Sequence, residues 1–236
     1  MIDFSLLAQE RNLREQLADV SNQLVFLGLN RGTSGNCSAR LGGYLLITPS
    51  GVPAKQLTPE AMVKLDYSGK VIGSGKPSSE WQFHCDILFS RPDINAVVHT
   101  HSLYATSQAC MHNEIPAFHY MIAVAGGDSI RCAPYEAFGS KALSVGAIKA
   151  LKDRLACLLA NHGLIALGDD LNGALALALE VETLCEQYTY AQLLGGPHIL
   201  SKSQMDEVLE KFKGYGVRKN SDPLFGKEWL RDSDAN

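Results

Sequence analysis

"LACLLANHGLIALG", residues 155–168, is two apolar runs broken by Asn161-His162-Gly163. Two short apolar runs around a tight Asn/Gly-containing turn read as a β-hairpin. The chain around it alternates between strand and helix patterns. "INAVVH", 94–99, is a β-branched apolar run preceded by Arg91-Pro92-Asp93, and reads as a buried strand. "GYLLIT", 43–48, is a second strand and "SIRCAP", 129–134, a third. "KVIG", 70–73, is a short one after the Ser68-Gly69 turn. Hairpins mixed with helices predict an α/β fold whose sheet is mixed, largely antiparallel and covered on both faces. No strand is followed by G-x-G-x-x-G, which disfavours a dinucleotide fold.

The helices are marked by their caps. Residues 3–28 have helical periodicity, and "NRGTSGNCSAR", 30–40, reads as the loop that follows. "LTPEAMVKLD", 57–66, opens with Thr58, Pro59 and Glu60 and predicts the start of a short helix. In "GKPSSEWQFHCDILFSRP" Ser78 or Ser79 caps a helix with Glu80 in its first turn. Further helices are expected from about Ser102 to Met111 and over 141–153, the latter capped by Ser140. A long one is capped by an Asp at 169 or 170 and stopped by Gly195-Gly196, and a last one ends at Gly214. With no internal repeat and no Pro/Gly/Ser linker, residues 1–216 are expected to be one domain, followed by a polar tail, 217–236.

Composition narrows the function. At 46% hydrophobic and 19% charged, 236 residues support a core without disulfides. A net charge of -4 with no block of like charges gives nucleic acid or an anionic membrane no footing. No apolar run spans a bilayer, the N-terminus lacks a cleavable apolar region, and the six scattered cysteines lack a C-x-x-C. A reduced, cytoplasmic protein is expected.

Seven histidines stand in the chain, and two of them, His99 and His101, end one strand one residue apart. Residues i and i+2 of a strand share a face, with α-carbons about 6–7 Å apart. Both imidazoles can then reach one ion through bonds of ~2.0–2.1 Å. The alternative is two polar residues closing a strand on backbone hydrogen bonds. A catalytic zinc takes three protein ligands and keeps one position open, and His162 in the hairpin turn is the natural third, with Gly163 letting the backbone bend. Glu80 near a metal can be a ligand, a base or each in turn; otherwise it is ordinary charge at a helix start. His84, four residues on, shares its helix face and can rival Glu80 as ligand, orient it, or pack. His112 and His198 read as surface residues. Gly35-Asn36, Ser50-Gly51 and Ser78-Ser79 offer backbone N–H groups and hydroxyls without bulk, the makings of an anion site if they converge.

"SGNCSAR", "LLITPSG", "GKPSSEW", "AVVHTHSLYAT", "HYMIAVAGGDSIRCAPYEAFGS" and "LLANHGLIALG" occur in this order from about residue 25 to Gly216. Together they resemble the class II aldolase/adducin family. The resemblance implies a three-layer α/β/α sandwich and a C4 homotetramer with active sites between subunits. It also implies one zinc ion per chain, held by Glu80, His99, His101 and His162. Gly35, Asn36, Ser50, Gly51, Ser78 and Ser79 would bind a phosphate; Tyr120 and Tyr215 would serve catalysis in the neighbouring subunit's site. The implied reaction is reversible cleavage of a ketose 1-phosphate, a small phosphorylated sugar, to dihydroxyacetone phosphate and a small aldehyde such as lactaldehyde. Glu80 would handle the proton, and no Schiff-base lysine is needed. Relatives in the family act as pentulose-phosphate 4-epimerases or on methylthioribulose phosphate, and the adducin branch is a non-catalytic scaffold. Here Ser50 stands where the family often has Thr, Cys37 replaces a usual aliphatic residue, and the tail beyond Gly216 is longer than the pattern.

Overall fold

The computed structural model describes residues 4–214. In chain order the elements are α1 (Phe4–Phe26), β1 (Asn36–Leu41), β2 (Tyr44–Ile47), β3 (Val63–Asp66), α2 (Trp81–Ser90), β4 (Ala96–Thr100) and α3 (Leu103–Ala109). Then come β5 (Arg131–Ala133), α4 (Lys141–Ala150), β6 (Ala156–Leu159), β7 (Gly163–Gly168), α5 (Leu171–Leu193) and α6 (Lys202–Gly214). Short 3-10 helices cover Ala54–Gln56, Pro59–Ala61 and Tyr120–Ala125.

Among these residues seven strands form one sheet in the order β3-β2-β1-β4-β7-β6-β5. Every pair is antiparallel except β5 with β6. The mixed, largely antiparallel sheet read from the hairpin is the observed one. Side-chain alternation builds a core on each face. In β4, β6 and β7 the residues Ala96, Val98, Ala156, Leu158, Leu164 and Ala166 join the core under α1, α3 and α5. Their neighbours Val97, Cys157, Leu159, Ile165 and Leu167 join the core under α2 and α4. Three layers result, because the strands are apolar on both sides and each side needs a helical cover. His99 follows Val97 at a spacing of two, so it points to the α2 face. There its ring meets the edge of Phe83, centroids 5.5 Å apart.

Three local readings are corrected. The stretch 30–40, expected as a loop, contains strand β1. Its Gly/Ser/Asn composition hides a buried strand in which Cys37, Ala39 and Leu41 pack on one side. "LTPEAMVKLD" makes only a single 3-10 turn; from Val63 the chain pairs with β2, Val63 opposite Ile47, so tertiary pairing overrides the Pro59 signal. "KVIG" is no strand, only an isolated bridge between Leu65 and Val71. The caps of the long helices stand as read: Ser140 Oγ accepts from Leu143 N at 3.1 Å, and Asp170 Oδ1 from Gly173 N at 2.7 Å. Tyr215 and the tail lie outside the described residues.

Candidate metal centre

β4 brings the first two donors. His99 is fully buried, and its Nδ1 lies 2.9 Å from the carbonyl oxygen of Leu164 in β7. A carbonyl only accepts, so Nδ1 carries a proton and Nε2 is the ring nitrogen turned toward the cluster. His101 lies one residue past the end of β4; its backbone N–H donates to Asn30 Oδ1 at 3.1 Å.

The β6–β7 turn brings the third. Asn161 (φ 53°) carries the left-handed residue of this turn, a role the sequence reading gave to Gly163. Gly163 is needed for a different reason: a Cβ there would meet Thr100 O at 2.2 Å and His101 Cδ2 at 3.2 Å. Its missing side chain lets the start of β7 close onto the end of β4. The rings of His99, His101 and His162 then form a near-equilateral triangle, centroids 4.8–4.9 Å apart and planes 75–77° to one another.

Glu80 closes the cluster. It is itself the N-cap residue of α2, a place the sequence reading assigned to Ser78 or Ser79; Ser78 Oγ instead accepts from Glu80 N at 3.3 Å. Glu80 is 6% exposed, with Oε2 at 3.2 Å from His99 Nε2 and Oε1 at 3.0 Å from His162 Nε2. One donor atom from each of the four residues lies within 4.8 Å of the other three. Burial opposes ionisation of Glu80, but the facing His99 and His162 outweigh it and hold the carboxyl well below the usual range. Burial, then the neighbouring imidazoles His99 and His162, push His101 down to about 4, so a neutral ring with a free lone pair prevails at pH 7.

A cation fits this set. Glu80 Oε1 is buried with no hydrogen-bond partner, and His162 Nε2 stands 3.0 Å from it. His99 Nε2 and His101 Nε2 face each other at 3.0 Å. Converging imidazole nitrogens and a carboxylate oxygen are the donor set of a zinc-like divalent ion.

Around the centre the structure gathers the three small-residue loops. Cys37 N donates to Thr48 Oγ1, Ser50 N to Lys76 O and Ser78 N to Thr48 O. Gly35, Ser50-Gly51 and Ser78-Ser79 are thus stitched into one region beside Glu80, a convergence that sequence alone does not reveal. Asn36 belongs there too, but its side-chain amide is committed: Nδ2 donates to Glu80 Oε2 at 2.9 Å and Oδ1 meets His84 Nε2. His84 is therefore not in the cluster and reaches Glu80 through Asn36. Tyr120 stands outside the cluster, half exposed, at the start of the turn 120–125. Asn30 escaped the sequence reading, having no motif; a Cβ on Gly35 would clash with its side chain at 2.2 Å.

Residues 15–189 match the family model described as Class II Aldolase and Adducin N-terminal domain. The chain belongs to the class II aldolase and adducin family. Among its relatives is the 5-methylthioribulose-1-phosphate/5-deoxyribulose-1-phosphate aldolase of Rhodospirillum rubrum, 52% identical over 86% of this chain and 92% of the relative. The L-fuculose phosphate aldolase of Escherichia coli is 48% identical over 89% and 98%. A solved L-fuculose 1-phosphate aldolase superposes with a TM-score of 0.82 at 40% identity, covering 86% of this chain and 96% of that one. The motif resemblance runs to L-fuculose-1-phosphate aldolases in particular, and these matches bear it out. This class II aldolase is an enzyme of the aldehyde-lyase type, from a metal-dependent class. Among its described residues no helix is long and apolar enough to cross a membrane.

Proposed function

We propose that this class II aldolase reversibly cleaves a ketose 1-phosphate into dihydroxyacetone phosphate and a small aldehyde, using one zinc ion per chain. Glu80, His99, His101 and His162 are its ligands. The observation that carries this reading is the buried, unbonded Glu80 Oε1 among three imidazole nitrogens, beside loops rich in small and hydroxyl residues.

Bound there, a divalent cation supplies Lewis-acid stabilisation to an oxygen that becomes negative as the carbon–carbon bond breaks. The chain's own groups do the rest. The loops of Gly35-Asn36 and Ser50-Gly51, with Ser78-Ser79 at the start of α2, hold the phosphate through the N–H and hydroxyl groups that their internal contacts leave free; the helix N-terminus favours its charge. Glu80 gives a proton to the carbon of the dihydroxyacetone phosphate half at which the bond has broken, and takes it back in the reverse direction. Tyr120, reaching in from a neighbouring subunit of a C4 tetramer, serves the aldehyde oxygen, as does Tyr215. The enzyme acts in the cytoplasm.

The relatives favour two substrate readings. Similarity to the Escherichia coli enzyme supports L-fuculose 1-phosphate and lactaldehyde. Similarity to the Rhodospirillum rubrum enzyme supports 5-methylthioribulose 1-phosphate or 5-deoxyribulose 1-phosphate. A panel of these ketose 1-phosphates, assayed for released dihydroxyacetone phosphate, separates them. Epimerisation without release of free aldehyde would contradict the lyase reading. Ser79→Ala should chiefly raise KM for the phosphorylated ketose; equal handling of the free sugar and its phosphate would contradict the phosphate site.

A further inference from the structure

Behind Glu80 runs a line of buried polar side chains to which the chemistry above gives no task beyond Asn36. Ser38 and His84 have no exposed surface, and Asn36 is 7% exposed. Ser38 Oγ lies 2.7 Å from His84 Nδ1, His84 Nε2 lies 2.5 Å from Asn36 Oδ1, and Asn36 Nδ2 lies 2.9 Å from Glu80 Oε2. β1 supplies Asn36 and Ser38, two apart and so on one face; α2 supplies His84, one turn beyond Glu80.

Donor and acceptor capacity gives this line a single direction. An ionised carboxylate only accepts, so Asn36 must turn its NH₂ to Glu80 and its carbonyl to His84. That carbonyl needs a donor, so the proton of His84 is on Nε2. Nδ1 is then an acceptor, and the Ser38 hydroxyl donates to it. Flipping the Asn36 amide would set an oxygen against the carboxylate and an NH₂ against the imidazole N–H. All four groups are therefore held in one orientation.

The geometry points to His84 as a positioning residue for Glu80. Through Asn36, the Ser38–His84 pair pins Oε2 and leaves Oε1 as the oxygen presented to the cation and to the substrate's proton. This rests on the four-residue centre proposed above, and it makes cation affinity depend on a histidine that is not a ligand. Partners that orient a ligand from behind typically contribute about 10–100-fold in metal affinity or activity. A histidine that merely packs, here stacked on Phe83 with centroids 4.5 Å apart, would contribute none of this specifically.

The test uses the full-length protein, stripped of metal and reloaded with Co²⁺. Affinity is read by chelator competition and coordination by the visible Co²⁺ spectrum, in the wild type, His84→Leu, His84→Gln and Ser38→Ala. In His84→Leu the Co²⁺ affinity is expected to fall about 10–100-fold with a changed spectrum. His84→Gln, which keeps an N–H donor for Asn36, is expected to recover most of both. Wild-type affinity and spectrum in His84→Leu overturn the proposal, and so does a loss that His84→Gln fails to recover, since that is packing alone. If His84→Leu does not fold, Ser38→Ala decides: a weakened site supports the chain, and wild-type binding overturns it. A wild type that takes up no Co²⁺ is a separate result, and it removes the four-residue centre and this inference together.

Discussion

Glu80 is held between a helix start and three imidazoles, and its proposed double role makes it the most informative single residue. Glu80→Gln keeps the shape and cannot carry a proton, so kcat is expected to fall ~10²–10⁴-fold with substrate still bound. Deuterium exchange into dihydroxyacetone phosphate without aldehyde isolates that step; exchange at the parent rate in a zinc-retaining variant would leave Glu80 a ligand only. Gly163 has a more mechanical part. Gly163→Ala puts a methyl group against Thr100 O and His101 Cδ2. A loss of roughly 1–3 kcal/mol in urea unfolding is expected, together with weaker metal binding. Unchanged values for both would show that the β6–β7 turn has room to spare. His99, His101 and His162 were legible in the sequence because strand periodicity and a hairpin turn place histidines predictably. Asn36 was legible as part of a loop signature but not as Glu80's partner, since the Glu80–Asn36–His84 contacts span more than forty residues and no local pattern encodes them. Asn30 was not legible at all, because its partner is a backbone N–H seventy-one residues away.

At the next scale, elements succeeded or failed by how much of their signal was local. The capped helices α4 and α5 and the apolar hairpin were readable, because caps and alternation are written in neighbouring residues. β1 was missed because its buried polar residues, Asn36 and Ser38, are satisfied by a distant helix rather than by solvent. β3 was missed because pairing with β2 outweighed a proline-led helix start. Element α3, which follows His101 directly, is held from outside: Glu182 of α5 accepts from Tyr104 N and Ala105 N, each at 2.8 Å. Glu182→Ala leaves both N–H groups without that partner. A cost of about 0.5–2 kcal/mol, as for a lost N-cap, is expected in urea unfolding. Because His101 immediately precedes this helix, Co²⁺ affinity should fall as well; a stability loss with unaltered affinity would show that His101 is fixed by Asn30 alone.

For the whole molecule, the buried site has a consequence for acid stability. In the metal-free protein burial pushes His84 down to about 3, and burial with the neighbouring imidazoles pushes His101 down to about 4. Glu80, despite its burial, is held below its ordinary 4.5 by the facing histidines. Over this range the unfolded chain binds more protons than the folded one, so stability should be full near neutral pH. It should begin to fall as pH drops below the ordinary histidine value of 6.5, and go on falling toward pH 3. Urea midpoints of the metal-free protein measured from pH 7 to 4 check this, and His84→Gln should flatten the decline; a level profile in the wild type would contradict it. Shared active sites can be tested by mixing inactive Tyr120→Phe and His101→Ala chains. Partial recovery in hybrids shown to form is expected, and none would mean that each site is complete within one chain. The most direct measurement of the central claim is release of dihydroxyacetone phosphate from the ketose 1-phosphate panel by chelator-stripped and zinc-restored enzyme. Release from at least one of them that vanishes on stripping and returns with zinc, with no dihydroxyacetone released from the unphosphorylated sugars, is the expected result. Cleavage that survives removal of the metal, or no release from any of them by the zinc-restored protein, would contradict it.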